Sequence, residues 1–222
     1  MTDISLSTSP KTVTDISALF HSHTIGKDDS GDEFSVITSF SGLLQELPRA
    51  LSDRKTKDIE PGASNDPVSL LLRQIAFERC EWESYAFFDS SKPYTRNLIA
   101  TDNETYTLLL LCWNPNQESP IHDHPCDGCW LKVLQGNVRE CRYDENLCCT
   151  ADDIFQQGEL TYITDSLGYH KVGNPTRTPS VSLHLYSPPF SRCRVWREAS
   201  KLMASSVDFC NFSEYGHLVT KE

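Results

Sequence analysis

The chain has 222 residues, of which 38% are hydrophobic, and a formal net charge of −11. This length and composition predict one globular domain and exclude a chain that is disordered throughout. A surface this acidic repels phosphate backbones, so we expect no nucleic-acid partner. The longest strongly apolar run, residues 108–113, is far shorter than the about 20 residues that a membrane helix needs, so we expect no membrane partner.

The nine cysteines are expected to be reduced thiols. The chain begins MTDISLSTSP, which has no apolar segment behind a basic start and so does not resemble a signal peptide. Disulfides form mainly in secreted proteins, whose compartments are oxidising. We therefore predict a cytoplasmic protein with free cysteines.

The chain divides by composition into a tail and a domain. Residues 1–33 are rich in Ser and Thr and poor in large apolar groups, which predicts a flexible tail. We expect a single domain over 34–222, with helices at 34–80 and a β-barrel from about residue 94.

Two helices are predicted before the barrel. Apolar residues recur at mostly helical spacing over 34–51, where Pro48 is expected to end or kink the helix. The charged stretch 53–66 predicts a loop. The pair Asp66-Pro67 is typical of an N-cap and first turn, and the second helix should run from there toward Cys80.

Short strands follow the helices. Runs of β-forming residues between Gly, Asn and Pro predict strands at 105–113, 129–134, 138–143, 159–164, 169–172 and 181–187. The last strand alternates, with Val181, Leu183 and Leu185 on one face and Ser182, His184 and Tyr186 on the other. Many short strands without interleaved helices predict an antiparallel sandwich or barrel.

The sharpest local motif is His122-Asp-His124. Residues i and i+2 of a strand share a face, so both imidazoles can reach one metal ion while Asp123 points away. His170 lies in another predicted strand. Three neutral imidazoles leave coordination positions open, as a catalytic metal requires. The plainer alternative is that these histidines share a spacing without binding any metal.

A structural zinc site or a redox pair is a second alternative. Cys126 and Cys129 form a C-x-x-C motif next to His122 and His124. Against it, the chain holds only one such half-site and is long enough to need no metal to hold its fold.

Several motifs in order resemble a known family. The run PIHDHPCDGCWLKVLQG, residues 120–136, is similar to the first cupin motif, with Cys129 in place of the acidic residue. His170 and Asn174 match the end of the second cupin motif. A cysteine at that acidic position is the pattern of cysteine dioxygenases. Three further blocks agree with that family, YTRNL from Tyr94, LCW from Leu111 and SLHLYSPP from Ser182, and the resemblance runs from about Tyr85 to Cys193.

The resemblance implies a mainly β fold, a cupin-type antiparallel jelly-roll barrel with N-terminal helices. It also implies that His122, His124 and His170 bind iron(II). Arg96 matches the arginine that holds the substrate carboxylate, since a planar guanidinium suits a bidentate contact, and Tyr94 shares its strand face.

The resemblance further implies a catalytic group on the last strand. Tyr186 matches the active-site tyrosine of the family, with His184 beside it. Cys129 matches a cysteine that members of the family can join to this tyrosine as a thioether. Ser187-Pro188 matches a cis peptide bond. Gly128 departs from the histidine of animal members, so we infer that this position is not needed for chemistry.

The function that the resemblance implies is the iron(II)-dependent oxidation of L-cysteine by dioxygen to cysteine sulfinic acid. This would be the first step of cysteine catabolism toward hypotaurine and taurine or sulfite. The expected partners are a small thiol and dioxygen, and we expect a monomer. A dioxygenase for another thiol, such as 3-mercaptopropionate, and a non-catalytic metal-binding cupin are the alternatives. Arg96 and Cys129 argue against the first, and the complete set of three histidines, Arg96 and Tyr186 argues against the second.

Overall fold

The computed structural model describes residues 23–27, 33–60, 62–197 and 203–220. Of the predicted tail, residues 1–22 and 28–32 lie outside the described residues. Residues 23–27 form a strand, β1 (His23–Lys27), which pairs antiparallel with β2 (Glu33–Ile37). The predicted helical start at residue 34 is therefore wrong, because Phe34 belongs to β2 and the first helix begins at Phe40.

Three helices follow this hairpin, α1 (Phe40–Thr56), α2 (Pro67–Arg73) and α3 (Arg79–Trp82), and a 3-10 turn spans Glu83–Tyr85. The side chain of Ser39 caps α1 by accepting a hydrogen bond from the backbone N–H of Gly42. Pro48 does not end α1, and the helix continues into the predicted loop. Leu47 and Leu51, on either side of Pro48, are buried, so packing offsets the hydrogen bond that proline cannot donate.

The start of α2 is as predicted, but its end is not. Asp66 caps the helix by accepting from the backbone N–H groups of Val68 and Ser69. The helix ends at Arg73 instead of running to Cys80, because the next residues pair with the end of β2. Ile37 donates to the carbonyl of Gln74 and accepts from the N–H of Ala76, each at 2.9 Å.

Fourteen more strands within the described residues build the barrel: β3 (Tyr94–Thr101), β4 (Thr107–Trp113), β5 (Gln117–Glu118), β6 (Ile121–His122), β7 (Gly128–Gln135), β8 (Asn137–Tyr143), β9 (Cys149–Gln156), β10 (Leu160–Ile163), β11 (Tyr169–Asn174), β12 (Ser180–Ser187), β13 (Arg192–Trp196), β14 (Ser205–Asp208), β15 (Ser213–Glu214) and β16 (His217–Leu218). A second 3-10 turn spans Asp165–Leu167. Each of the six predicted strands is present, with its ends shifted by at most two residues.

The strands form two facing sheets. The first sheet has the order β10-β7-β12-β4-β3-β15-β16, and the second has the order β14-β13-β6-β11-β8-β9, with β5 beside β11. Strands in these sheets pair antiparallel, except that β15 runs parallel to β3. Leu109 and Leu131 of the first sheet share one apolar cluster with Val138 and Val172 of the second, so the barrel interior lies between the sheets.

The two faces of β12 have different partners. Val181, Leu183 and Leu185 belong to the cluster that α1 and α2 cover, as the alternation predicted. The polar residues of the strand face the interior instead. Every residue of β12 is buried, because helices cover one face of the first sheet and the second sheet covers the other. The predicted mainly β, cupin-type barrel with N-terminal helices is confirmed. None of the helices in the described part of the chain has the length and apolar character to cross a membrane.

The packing of α2 predicts a stability difference between Leu70 and Leu72, which lie two residues apart. Leu72 is 2% exposed within the helix-side cluster, whereas Leu70 is 44% exposed. Leu72→Ala should lower the free energy of unfolding by about 2–5 kcal/mol, because it leaves a cavity. Leu70→Ala, the matched control, should cost about 1 kcal/mol or less. Urea titration of both variants checks this, and equal losses would show that α2 does not pack through Leu72.

Candidate active site

Three histidines, two from paired strands and one from the segment after β6, come together inside the barrel. His122 ends β6, His124 follows two residues later, and His170 lies in β11. His122 and His170 are direct partners in the β6–β11 pairing, so their side chains project to the same face. The nitrogen atoms that the three rings offer a metal lie within 4.8 Å of one another. The structure therefore brings together the imidazoles that the sequence singled out.

Hydrogen bonds fix which nitrogen of two rings faces the centre. His122 Nδ1 lies 3.0 Å from the carbonyl oxygen of Pro120, and His170 Nδ1 lies 2.6 Å from Glu140 Oε1. A carbonyl and a carboxylate accept, so each Nδ1 carries the proton and each Nε2 presents a lone pair. The two Nε2 atoms are 3.2 Å apart. Two lone pairs at this distance repel unless a cation lies between them, so these rings fit a metal ion.

The third ring also fits a metal ion. Both nitrogens of His124 are buried and have no hydrogen-bond partner among the described residues. Buried polar atoms nearly always have a partner, so these nitrogens indicate a ligand. Burial is the main cause that lowers the pKa of His122 and lowers those of His124 and His170 well below the ordinary value. All three rings are therefore neutral near pH 7, the form that coordinates metals.

Two aspartates hold the backbone that carries the His-x-His motif. Asp123 points away from the other two residues of the motif, as predicted, and accepts from the backbone N–H and the Nε–H of Arg194 in β13. Asp165 accepts from the backbone N–H of His124 at 2.6 Å. These contacts fix His124 even though it lies beyond the end of β6.

A row of polar side chains runs along the interior face of β12. The indole N–H of Trp113 donates to Ser182 Oγ at 2.8 Å, and Ser182 Oγ lies 2.8 Å from His184 Nε2. His184 Nδ1 lies 3.4 Å from the Tyr186 hydroxyl. Burial lowers the pKa of His184 well below its ordinary value and raises that of Tyr186. Both side chains are therefore neutral near pH 7.

Cys129 faces Tyr186 across two neighbouring strands. The two residues are direct partners in the β7–β12 pairing and belong to one buried cluster. Their exposed fractions are 1% and 5%. Burial raises the pKa of the Cys129 thiol well above its ordinary value, so it is protonated near pH 7. The structure thus brings together the two ends of the predicted crosslink.

Arg96 lies in β3, two residues after Tyr94 and on the same face. Its guanidinium carbon is 4.0 Å from the centre of the Phe209 ring and 5.7 Å from that of Tyr186. The Nε atom of Arg96 is buried and unpaired among the described residues. Tyr94 packs on Trp113 with ring centres 4.6 Å apart. Arg96 therefore has a free donor and a fixed plane available for an anionic ligand.

One cavity of about 970 Å³ joins these groups. Its walls include Tyr94, Arg96, His122, His170, His184 and Tyr186. Residues from β14 and the segment after it, among them Phe209 and Phe212, cover one side. Phe212 N–H donates to the carbonyl of Arg96 at 2.7 Å, which ties this covering segment to β3. The arrangement can hold a small anionic ligand between Arg96 and the histidine cluster.

The zinc alternative has little support in the geometry. The candidate metal group among the described residues consists of the three histidines and includes neither Cys126 nor Cys129. The thiol of Cys126 donates to the carbonyl oxygen of Gly128 at 3.3 Å, while Cys129 faces Tyr186. All nine cysteines are free, as expected. The Ser187-Pro188 bond is cis, as the resemblance implied.

Gly128 is explained by packing. A Cβ at this position would lie 2.6 Å from the Trp130 ring and 2.8 Å from the Tyr162 ring. Glycine therefore lets these two aromatic side chains approach the start of β7.

Three residues of the site were not assigned a role from the sequence. Trp113 begins the row on β12, Phe209 covers Arg96, and Glu140 holds His170. Trp113 is part of the LCW motif that begins at Leu111, so the resemblance to the family could have indicated its place in the site. Glu140 and Phe209 reach the site through long-range pairing that no local pattern reveals.

Comparison with known proteins agrees with this site. A family model described as cysteine dioxygenase type I matches residues 45–199. Cysteine dioxygenase type 1 from Danio rerio is 38% identical over 159 residues, covering 68% of this chain and 78% of that protein. The protein of that name from Rattus norvegicus is 37% identical over 160 residues, covering 67% and 80%, and that from Bos taurus is 42% identical over 138 residues, covering 59% and 68%.

Among solved structures, a Klebsiella pneumoniae protein with a double-stranded beta-helix domain aligns with a TM-score of 0.44 at 14% identity, covering 52% of this chain and 94% of that chain. The family match is much more specific, since the model spans more than half of the chain and includes all of the residues of the site except those of the covering segment. The chain therefore belongs to the cysteine dioxygenase family.

Proposed function

We propose that this chain is an iron(II)-dependent enzyme that oxidises the thiol of L-cysteine with dioxygen to cysteine sulfinic acid. In this reaction one thiol and one dioxygen combine, both oxygen atoms enter the sulfur group, and no other reductant is consumed. The observation that carries the proposal is the convergence of three neutral imidazoles, two of which, His122 and His170, line the same cavity as Arg96. Membership of the cysteine dioxygenase family supports the choice of substrate.

His122, His124 and His170 would hold the metal. Bound iron(II) would supply positions for a soft thiolate and for dioxygen, because three neutral ligands leave its full charge. The hydrogen bonds of His122 and His170 keep their Nε2 lone pairs directed at this centre.

Arg96 would bind the carboxylate of cysteine. The rings of Phe209 and Tyr186 flank the guanidinium and shield it from water, which strengthens a charge-assisted pair. Arg96, His122 and His170 line one cavity, so an amino acid bound at Arg96 would lie in the same cavity as the proposed metal site.

The row on β12 would direct the proton of Tyr186. Trp113 donates to Ser182, and the Ser182 hydroxyl then donates to His184 Nε2, so that no donor is left unused. His184 keeps its proton on Nδ1 and donates it to the Tyr186 oxygen. The Tyr186 proton is thereby free to donate into the cavity, where oxygen is added to the substrate.

A thioether between Cys129 and Tyr186 is part of the proposal. The bond would join Sγ to a carbon of the phenol ring with loss of two hydrogen atoms, and dioxygen would accept the two electrons. The cross-strand pairing and the shared burial of the two side chains support it. The bond would fix the phenol ring and remove a thiol that competes for iron.

The proposal also includes the cellular location and the place of the reaction in metabolism. The free cysteines support a reducing compartment, so we keep the cytoplasmic assignment. The product places the enzyme at the start of cysteine catabolism toward hypotaurine and taurine or sulfite. A monomeric state stays a prediction, and a dioxygenase for 3-mercaptopropionate stays the nearest alternative.

The metal assignment predicts the behaviour of three variants. His122→Ala, His124→Ala and His170→Ala should each lose bound iron and cysteine-dependent oxygen uptake, because each removes one of three ligands. His217→Ala, in the exposed strand β16, is the control and should keep both. Iron analysis of the purified proteins checks this. Full iron and activity in His170→Ala would contradict the ligand set.

The carboxylate assignment predicts a substrate-dependent loss in Arg96→Ala. The value of kcat/KM for cysteine should fall by about 100-fold or more, because a desolvated bidentate pair is worth a few kcal/mol. Cysteamine, which lacks a carboxylate, should be affected much less. Arg79→Ala, at an exposed arginine of α3, is the control for both thiols. Equal losses for cysteine and cysteamine would mean that Arg96 acts on the fold.

The crosslink predicts a specific peptide mass. After several turnovers with cysteine, a digest should contain the Cys129 and Tyr186 peptides joined, two hydrogen atoms lighter than their sum. Cys126→Ser should still form the joined peptide, and Cys129→Ser should not, although it should keep iron and part of the activity. Tyr186→Phe should lose more activity. If Cys129 stays freely alkylated after turnover, the crosslink does not form in this chain.

A further inference from the structure

A buried carboxylate lies behind one of the three histidines. Glu140 is in β8, is 1% exposed, and its Oε1 lies 2.6 Å from His170 Nδ1, which is itself in a ring only 2% exposed. Glu140 and His170 lie diagonally across the β8–β11 pairing, where Glu140 is opposite Val172 and His170 is opposite Arg142. The contact is therefore set by the register of two strands.

The second oxygen of Glu140 is held independently of His170. Thr161 Oγ1 donates to Oε2 at 2.8 Å, and Arg142 donates to it from Nε at 3.2 Å and from Nη2 at 3.1 Å. Arg142 Nη2 also donates to the carbonyl of Tyr162 at 2.8 Å. Arg142 and Thr161 thereby satisfy the buried oxygen of Glu140 that does not face His170. Four hydrogen bonds then hold its carboxylate in one orientation.

This network crosses between the two sheets. Glu140, Arg142 and His170 belong to the second sheet, whereas Thr161 and Tyr162 lie on β10 at the edge of the first. A carboxylate fixed at both sheets can act as a rigid support for the imidazole beside it. The competing explanation is that Glu140 only joins the two sheets of the barrel. That role would depend on Oε2, which contacts Thr161, and not on Oε1, which contacts His170.

The three histidines differ in what supports them. His122 Nδ1 faces a neutral carbonyl, and His124 has no hydrogen-bond partner among the described residues. His170 alone of the three faces a carboxylate. An imidazole that donates to a carboxylate is a stronger electron donor through its other nitrogen and is fixed in its ring plane.

We infer that Glu140 is a positioning residue that orients His170 and strengthens its donation to the metal. The inference rests on the proposed function, because it needs a metal at the three histidines. Removing the charge of Glu140 while keeping its size should weaken metal binding by about 10- to 100-fold. The dissociation constant of the metal should rise and its electronic spectrum should shift, in addition to any fall in turnover.

The test compares Glu140→Gln with Thr161→Val. Thr161→Val removes a hydrogen bond to Oε2 and leaves the contact between Oε1 and His170 in place. Each metal-free protein is loaded with Co²⁺ in competition with a coloured chelator, and its absorption spectrum and melting temperature are recorded. Glu140→Gln should bind Co²⁺ more weakly and show a shifted visible spectrum. Thr161→Val should have a lower melting temperature without metal but the Co²⁺ affinity and spectrum of the wild type.

The outcomes separate the inference from the proposed function. If the wild type fails to bind Co²⁺ at the histidines, the proposed function fails. If the wild type binds and Glu140→Gln matches it in affinity and spectrum, only the role of Glu140 is overturned. Equal losses of affinity in both variants would assign Glu140 to barrel closure. Should Glu140→Gln not fold, Glu140→Asp keeps the charge but withdraws it from His170, and wild-type affinity in that variant would also overturn the inference.

Discussion

The structure depends on three imidazoles that converge on a common centre, where those of His124 and His170 are buried and that of His122 is half-buried. The Nε2 atoms of His122 and His170 are 3.2 Å apart, and burial keeps both rings neutral. Only a cation makes this arrangement favourable. Several contacts of the barrel hold the three histidines in this arrangement. Asp123 and Asp165 accept hydrogen bonds that fix the backbone of the His-x-His motif, and Glu140 contacts the Nδ1 atom of His170. The metal site is therefore built by two strands, β6 and β11, and by their neighbours.

The strand β12 links the stability of the fold to the chemistry of the site. Its apolar face packs under α1 and α2, and its polar face carries Ser182, His184 and Tyr186 into the interior. A shift of this strand by one residue would exchange the two faces, burying polar groups under the helices. The helix-side core thus fixes the register that places Tyr186 opposite Cys129. The apolar core under the helices therefore determines where Tyr186 and Cys129 lie, although it does not line the cavity.

Sequence patterns predicted those features that depend on interactions between residues close together in the chain. The alternation of β12 and the Asp66 cap are as predicted, because each depends on neighbours within four residues. The two histidines of the His-x-His motif lie together, although His124 follows the end of β6 and is not on the strand. Phe34 was placed in a helix because its spacing was helical, but pairing with β1 overrides that preference. Glu140 and Phe209 reach the site across sheets or from the C-terminal segment, and no spacing in the sequence encodes such contacts.

X-ray absorption spectroscopy at the iron edge of the fully loaded enzyme, recorded without and then with cysteine under anaerobic conditions, tests the central claim most directly. The account predicts that the resting metal has nitrogen and oxygen neighbours only, with the scattering pattern of three imidazoles. Addition of cysteine should introduce one sulfur neighbour. A sulfur neighbour before cysteine is added would mean that a cysteine of the chain binds the metal, and it would contradict the assignment of a site built from three histidines alone.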